Sequence, residues 1–477
     1  MRIVSFFAGC GGLDLGFEQA GFEVIWANDF DNNCLTTYLR NHHNTKFVLA
    51  DLSKLDIDSI PESDGFIGGP PCQSWSIGGN QKGLEDKRGK LFLKYIEIIK
   101  AKKPKFFVIE NVKGILDIKF KTSFEGFLSS LKEAGYDVNW NLLNAVDFSI
   151  PQYRERVFII GFRKDLDIFY RFPSPNGKKY IDLKQAIGDI NSKPTFYSHQ
   201  DLVEPLSINC SYPNHDVLNS PFGNFYLRGN RRKKWTQPSF TINATASFAP
   251  LHPSSPEMIF RGREKWFFQN DKKNEYRRLS VRECARIQTF PDSFILDYKD
   301  IRNGYKMIGN AVPPRLAKQI AKTILEAFGL NNSNKYNPQN NDRDDLVLIG
   351  YYKDEFHLES IKKNLMYYVR NDNRKGSFIN ANQNVKPKYL LLHHNEKKYF
   401  FPLVNSYPVE VEKSFLLKRG FKVNGTKYLL FLLKDFIQDI KQYSINHNEN
   451  LNRIYSPIIL SISDLEKKGY ELRQRTN

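Results

Sequence analysis

A chain of 477 residues with ordinary apolar content, 41% hydrophobic, is long enough for two or three domains built as in a soluble protein. Its formal charge of +18 favours polyanionic partners, nucleic acid first. No apolar run of about 18 residues offers a membrane span, and the amino terminus lacks a secretion-signal pattern. The five cysteines are widely separated, odd in number and without a CxxC pair, so neither a disulfide framework nor a zinc or other metal site is expected.

In chain order, RIVSFF reads as a strand, followed by a glycine turn and LDLGFEQAG, then the strand EVIWAND and a polar helical stretch. KFVLAD and DGFIGG are further short strands, and GKLFLKYIEIIKAKK is an amphipathic helix leading into KFFVIENV. SFEGFLSSLKEAG and RVFIIGF complete an alternation that predicts a mostly parallel sheet covered on both faces, with ligands at the carboxyl ends of its strands. Residues 169–275 are rich in Pro, Asn, Ser and Arg and read as a smaller, irregular lobe. Regularity returns in YRRLSVRECARIQTFPD and GYKMIGNAVPPRLAKQIAKTILEAFG, whose last helix stops at Gly329. The expected domains are 1–168 with 276–329, the lobe 169–275, a polar linker 330–345 and an α+β extension over 346–477.

FAGCGG places Gly9, Gly11 and Gly12 between the first strand and the first helix, where a backbone can approach a ligand closely. Asp29 follows Gly9 by 20 residues, at the end of the second strand, where a carboxylate can accept both hydroxyls of a ribose. The full GxGxxG spacing is missing, which favours a small nucleoside with a carboxylate tail over a dinucleotide such as NAD. The glycines alone would also fit a tight turn of any α/β protein. Asp51 is placed either to contact an adenine amino group or to cap a helix, and Phe7 and Phe30 to sandwich the ring.

In GGPPCQSWS, Cys72 sits in a turn fixed by Pro70 and Pro71, a setting that suggests chemistry more than packing. Glu110 ends the apolar strand KFFVIE, where a dry carboxyl can stay protonated and act as a general acid. Arg154 and Arg156 precede VFIIGF and are read as entering the same crevice. The set fits addition of a thiolate to C6 of cytosine, with Glu110 at N3 and Arg156 at the O2 edge.

The chain resembles the bacterial type II cytosine-C5 DNA methyltransferase family over about residues 1–328. FAGCGG, ANDF, DLSKL, GGPPCQSWS, DKRGKLF, ENV, QYRERVFIIGF, RRLSVRECARIQTFPD and GYKMIGNAVPP follow the family's order. The resemblance implies a Rossmann-like fold, S-adenosylmethionine as cofactor and duplex DNA as substrate, with Cys72 as nucleophile. It adds Leu52, Pro70, Gly309, Asn310 and Val312 to the cofactor pocket, and Gln73, Ser76 and Arg88 to the DNA contacts. Asp29 and Phe30 stand where many relatives carry Glu and Trp, while Cys10, inside the glycine loop, is read as a small filler.

A buried base must leave the duplex to react, and the irregular lobe is expected to offset that cost. RGNRRKKW supplies Arg228, Arg231, Arg232, Lys233 and Lys234 for phosphates or guanine edges, and WTQPSFTINATASFAPLHP resembles a target-recognition region, nearest to GGCC-modifying enzymes. In the extension, KYLLLHHNEKKYFFPL suggests a hairpin turning at His394 to Lys397, with a strand in KYLLFLL and an amphipathic helix around FIQDIKQY. Its lysines and tyrosines suit an accessory nucleic-acid module. A nuclease is disfavoured despite the pair Glu396 and Lys398, for want of an upstream metal-binding acid. A tRNA-methylating enzyme is disfavoured by the recognition lobe, and a non-catalytic DNA-binding protein by intact Cys72, Glu110 and Arg156. A monomer in the bacterial cytoplasm is expected, paired with a cognate restriction endonuclease that shares the target sequence without needing to touch it.

Overall fold

The computed structural model describes residues 1–71, 87–175, 180–203, 212–262 and 265–329. Beyond these it describes 346–351, 354–364, 366–370, 389–394, 397–403, 409–418, 421–423, 427–433, 444–446, 458–461 and 471–473. Contacts divide the chain into two units, Met1–Tyr38 with Ala50–Lys335, and Leu39–Leu49 with Tyr336–Asn477.

The amino-terminal sequence forms β1 (Arg2–Phe6), α1 (Gly12–Glu18), β2 (Glu23–Asp29), α2 (Asn32–Asn41), β3 (Lys46–Leu49) and β4 (Gly65–Gly68). It continues through α3 (Lys87–Lys102), β5 (Phe106–Val112), α4 (Lys121–Glu133), β6 (Tyr136–Asn144) and β7 (Glu155–Arg163). The sheet order is β3-β2-β1-β4-β5-β7-β6. β1 pairs in parallel with β2 and β4, and β4 with β5, whereas β7 runs antiparallel to both β5 and β6.

That reversal decides where the chemistry sits. The carboxyl ends of β1, β2, β4 and β5 share one edge, and because β7 runs the other way its first residues lie there too, with Arg156 opposite Val112. Burial explains the apolar runs: Phe106, Phe107, Val108 and Ile109 are all fully buried, so β5 has no solvent face to mark with polar residues. On one side Ile3, Val24, Ile67, Phe106, Val108 and Ile160 pack with α1 and with Leu316, Ile320 and Ile324 of the last helix of this unit.

Residues 169–329 add α5 (Leu183–Ile187), β8 (Thr195–Tyr197), β9 (Asp216–Leu218), α6 (Asn224–Leu227), β10 (Ile259–Phe260) and β11 (Trp266–Phe267). Then come α7 (Val281–Ile287), α8 (Ile301–Asn310) and α9 (Pro314–Ala327). Ser280 and Glu283 form a capping box that starts α7, and Pro314 opens α9 where its missing N–H has no cost. Gly329, at φ +70°, follows the end of α9 as the sequence predicts.

The second unit holds β12 (Leu346–Tyr351), β13 (Met366–Arg370), β14 (Tyr389–His394), β15 (Lys397–Pro402), β16 (Val409–Glu412), β17 (Lys427–Leu432) and β18 (Ile458–Ser461), which form a four-stranded sheet ordered β15-β14-β12-β18 and a three-stranded sheet ordered β13-β17-β16. With α10 (Glu355–Asn364) this is an α+β arrangement, and His394 pairs with Lys397 across the expected hairpin. Glu396 and the helix read around FIQDIKQY lie outside the described residues.

Gly16 shows how tightly α1 and α9 pack: an added Cβ would lie 2.3 Å from the Ala317 Cβ and 2.5 Å from the Pro314 carbonyl oxygen. Gly16→Ala gains roughly 1 kcal/mol of helix propensity, but a clash with backbone outweighs it. A net loss of about 1–3 kcal/mol is expected in urea denaturation.

Candidate active site

The glycine loop after β1 is held from β2. Asp29 accepts hydrogen bonds from the Gly9 N–H at 2.8 Å and from the Asp31 N–H at 2.8 Å, and burial raises its pKa despite these donors. Phe7, Gly9 and Gly11 adopt φ of +54°, +56° and +87°, a left-handed path that glycine makes accessible at the second and third positions. A Cβ at Gly9 would meet nothing within 4 Å, so the loop leaves an open cradle there. At Gly12 the need for glycine has another cause: a Cβ would lie 2.5 Å from the Val312 carbonyl oxygen and 3.0 Å from Phe290. The sequence reading of close ligand approach therefore gives way at Gly12 to helix packing.

The remaining pocket residues divide by exposure. Phe30 is 66% exposed beside Asp29, an aromatic face presented outward, and Asn310 is exposed at the end of α8. Val312 is buried in the core with Leu13 and Leu316, so its side chain belongs to packing and only its backbone lines the loop. Asp51 accepts from the Ser53 N–H at 2.9 Å and caps the short helix that contains buried Leu52; those Ser53 bonds lower its pKa. Cys10 is buried against the Met307 carbonyl at 3.6 Å, and burial pushes its thiol up to about 12, which suits a filler and no nucleophile.

At the other end of the edge, Glu110 is 8% exposed, and its Oε1 lies 3.0 Å from Nε of Arg156. Burial raises its pKa, with the Arg156 and Arg154 charges opposing that rise. A Cβ at Gly69 would come within 3.1 Å of Glu110 Oε2, so the second glycine of GGPP makes room for the carboxyl. Asn111, which the sequence reading did not single out, donates to the Pro70 carbonyl at 3.3 Å and ties β5 to the turn before Cys72. Cys72, Gln73 and Ser76 lie outside the described residues, as does the side chain of Arg88.

Arg154 and Arg156 part company. Arg154 is 1% exposed, and its guanidinium donates to the carbonyls of Ile242 at 3.1 Å, Gly309 at 2.9 Å and Ala311 at 2.9 Å. The sequence reading placed both arginines in one crevice. The structure turns only Arg156 toward Glu110 and uses Arg154 to join three distant segments. Gln152 completes the junction, accepting from the Ile242 N–H at 3.0 Å and donating to Gln288 at 2.7 Å.

The arginines of YRRLSVRECARIQ are also internal ties. Arg277 clamps buried Glu283 with two bonds of 2.8 Å, and Arg278 donates to the carbonyls of Leu218, Ser220 and Pro221. Arg282 reaches the carbonyls of Pro213, Pro291 and Phe294. Within the basic run, Arg228 and Lys234 are exposed, Lys233 and Arg231 are partly covered, and Arg232 is taken up by the Ser255 carbonyl at 2.6 Å and by Glu257. Among the described residues no group of three acidic, histidine or cysteine side chains could hold a metal ion.

The model of the C-5 cytosine-specific DNA methylase family matches residues 1–326. The chain belongs to this family. It is 45% identical over 325 residues to the type II methyltransferase M.MthTI of Methanothermobacter thermautotrophicus, covering 68% of this chain and 97% of the relative. It is 46% identical over 330 residues to the type II methyltransferase M.FnuDI of Fusobacterium nucleatum, covering 69% and 95%. The fold matches the Entamoeba histolytica methyltransferase EhMeth with a TM-score of 0.51 at 17% identity, over 69% of this chain and 98% of that one.

The family's activity is DNA cytosine-5 methylation with S-adenosylmethionine as methyl donor, and this chain is such a methyltransferase. The residues present fit the donor: the open cradle at Gly9, the exposed Phe30 ring and the Asp29 carboxylate lie around one loop. No described helix is long and apolar enough to cross a membrane.

Replacing Arg154 by Met removes a buried charge and leaves three carbonyls without their donor. A stability loss of about 3–5 kcal/mol is expected in urea denaturation, whereas Arg156→Met, at the pocket, should lose much less.

Proposed function

We propose that this enzyme methylates C5 of a cytosine flipped out of a short, specific duplex sequence, as the modification partner of a restriction endonuclease. The observation that carries the reading is the Glu110–Arg156 pair, 3.0 Å apart at the sheet edge, with Glu110 on a strand tied by the Asn111 hydrogen bond to the Pro70 carbonyl in the turn that precedes Cys72.

In this reading the Cys72 thiolate adds to C6 of the base and makes C5 a carbon nucleophile. Bound S-adenosylmethionine supplies an electrophilic methyl group, held by the glycine loop with Asp29, Phe30, Asp51 and Asn310. Glu110 in its protonated form donates to N3, which draws electron density toward the ring nitrogen as the thiolate adds. Arg156 is held by Glu110 at the height of the base and donates to O2. Water takes the C5 proton, the proton held at N3 returns to Glu110, and the C5–C6 double bond re-forms as the thiolate leaves. Arg154 serves as a positioning residue, which sets Arg156 and the recognition segment relative to each other.

The target sequence read by the lobe is proposed to be GGCC, and the partner nuclease shares it. Arg228, Lys233 and Lys234 provide positive charge for phosphates, and Arg231 a cation seated on aromatic rings.

Bisulfite sequencing of plasmid DNA treated with the enzyme should show protected cytosines within GGCC; protection spread over unrelated sites would overturn the specificity. Cys72→Ser should lose methylation while DNA affinity stays within a few-fold of wild type. A duplex with 5-fluorocytosine at the target should give a denaturation-resistant adduct in wild type and none in the serine variant.

Glu110→Gln, which cannot shuttle the proton, should lower turnover roughly 10²–10⁴-fold. The pH profile carries the sign of Glu110. Its raised pKa keeps the acid form present at higher pH than for a free carboxyl, so kcat should hold through weakly acidic conditions and fall as pH rises through that value. In Arg156→Met the opposing charge is gone, and the remaining activity should fall at a higher pH than in wild type.

A further inference from the structure

The irregular lobe carries a continuous ladder in which aromatic rings and cations follow one another. Phe248 stacks on Phe225 with ring centroids 4.2 Å apart and planes 20° from parallel. The Arg231 guanidinium lies 4.0 Å from the Phe225 centroid and 5.5 Å from that of Phe240. The Lys233 ammonium lies 4.4 Å from the Phe240 centroid and 5.6 Å from that of Tyr153. The ladder thus runs from the segment NATASF to the strand end that carries Arg156.

Its two ends are open. Tyr153 is 42% exposed and Phe248 is 40% exposed, while the interior rungs are partly covered by one another. The backbone beneath Tyr153 is fixed, since its N–H donates to the Ser239 carbonyl at 3.0 Å and its carbonyl accepts from Thr241. A rigid, exposed ring costs little conformational entropy when it is covered, and cations seated on ring faces keep their charge available on the outer side. Two exposed aromatic faces joined by cations match a polyanion whose base faces are uncovered where a base leaves the stack, which is the duplex at a flipped cytosine.

We propose that Tyr153 and Phe248 are base-stacking contacts to the duplex at either end of this ladder, with Tyr153 standing beside the pocket that receives the target cytosine. Arg231 and Lys233 act between them, orienting the rings and meeting phosphates. The inference rests on the DNA-methylating reading and adds two contacts to it. Tyr153 lies outside the basic run, in the second position of QYRER, where sequence alone gave it no role.

The test separates stacking from charge. Binding of the full-length protein to a duplex carrying the site mapped by bisulfite sequencing is measured by fluorescence anisotropy over a series of salt concentrations. Tyr153→Ala should weaken binding roughly 5- to 100-fold at every salt concentration, leaving the slope of log Kd against log salt unchanged. Tyr153→Phe, which keeps the ring, should bind within about twofold of wild type. Lys233→Met should instead reduce the slope by about 0.9. Binding of S-adenosylhomocysteine serves as the check that each variant is folded, and it should be unaltered. Phe248→Ala, at the far end, should repeat the Tyr153→Ala pattern. If Tyr153→Ala binds like wild type, or if its loss appears only as a change of slope, the stacking role is overturned. If wild-type protein methylates no duplex, the underlying reading fails with it.

Discussion

The buried guanidinium of Arg154 is the interaction on which the arrangement of this enzyme depends. A planar fork with five donors can serve several carbonyls at once, and here it serves three from segments more than sixty residues apart. Ile242 belongs to the irregular lobe, while Gly309 lies in the last turn of α8 and Ala311 just after it, beside Gly12 of the glycine loop. Arg154 itself sits two residues before Arg156. One side chain therefore holds the irregular lobe, the end of α8 beside the glycine loop and the strand that carries Arg156 in a common frame. A lysine would keep the charge without the geometry.

The same device recurs through the lobe. It has short strands and short helices with little regular hydrogen bonding of its own, so its loops need partners for their carbonyls. Arg278 and Arg282 provide them from α7 and the residues before it, and Arg277 with Glu283 closes the helix start. Part of the positive charge that composition assigns to DNA is thus internal, in buried Arg154, Arg278 and Arg282. What faces outward is smaller and more ordered: exposed Arg228 and Lys234, and cations laid against rings.

The sheet was legible in the sequence because its strands are buried on both faces and therefore read as unbroken apolar runs between helical periods. The place of Glu110 was legible because a carboxyl ending such a run stands out, and the nearness of Gly9 and Asp29 because they follow or end two adjacent parallel strands. The reversal of β7 was not legible, since an antiparallel strand buried on both faces has the same composition as a parallel one. That reversal puts Arg156 at the ligand edge by its start. The different fates of Arg154 and Arg156 were equally hidden, because two arginines two residues apart look alike until the partners of each are known. The ladder through Tyr153 could not be read at all, since it joins residues almost a hundred positions apart by ring geometry, which leaves no periodic trace.

Gly309 carries a consequence for how such enzymes change. A Cβ there would lie 2.3 Å from the backbone of Asn243 and Ala244, so the last turn of α8 and the recognition segment touch main chain to main chain. Side chains of NATASF are free to vary, but the path of their backbone is held by an element that also borders the methyl-donor side. A change of side chain along this stretch therefore leaves the contact intact, whereas a change of backbone path at 243–244 would drive main chain into the last turn of α8.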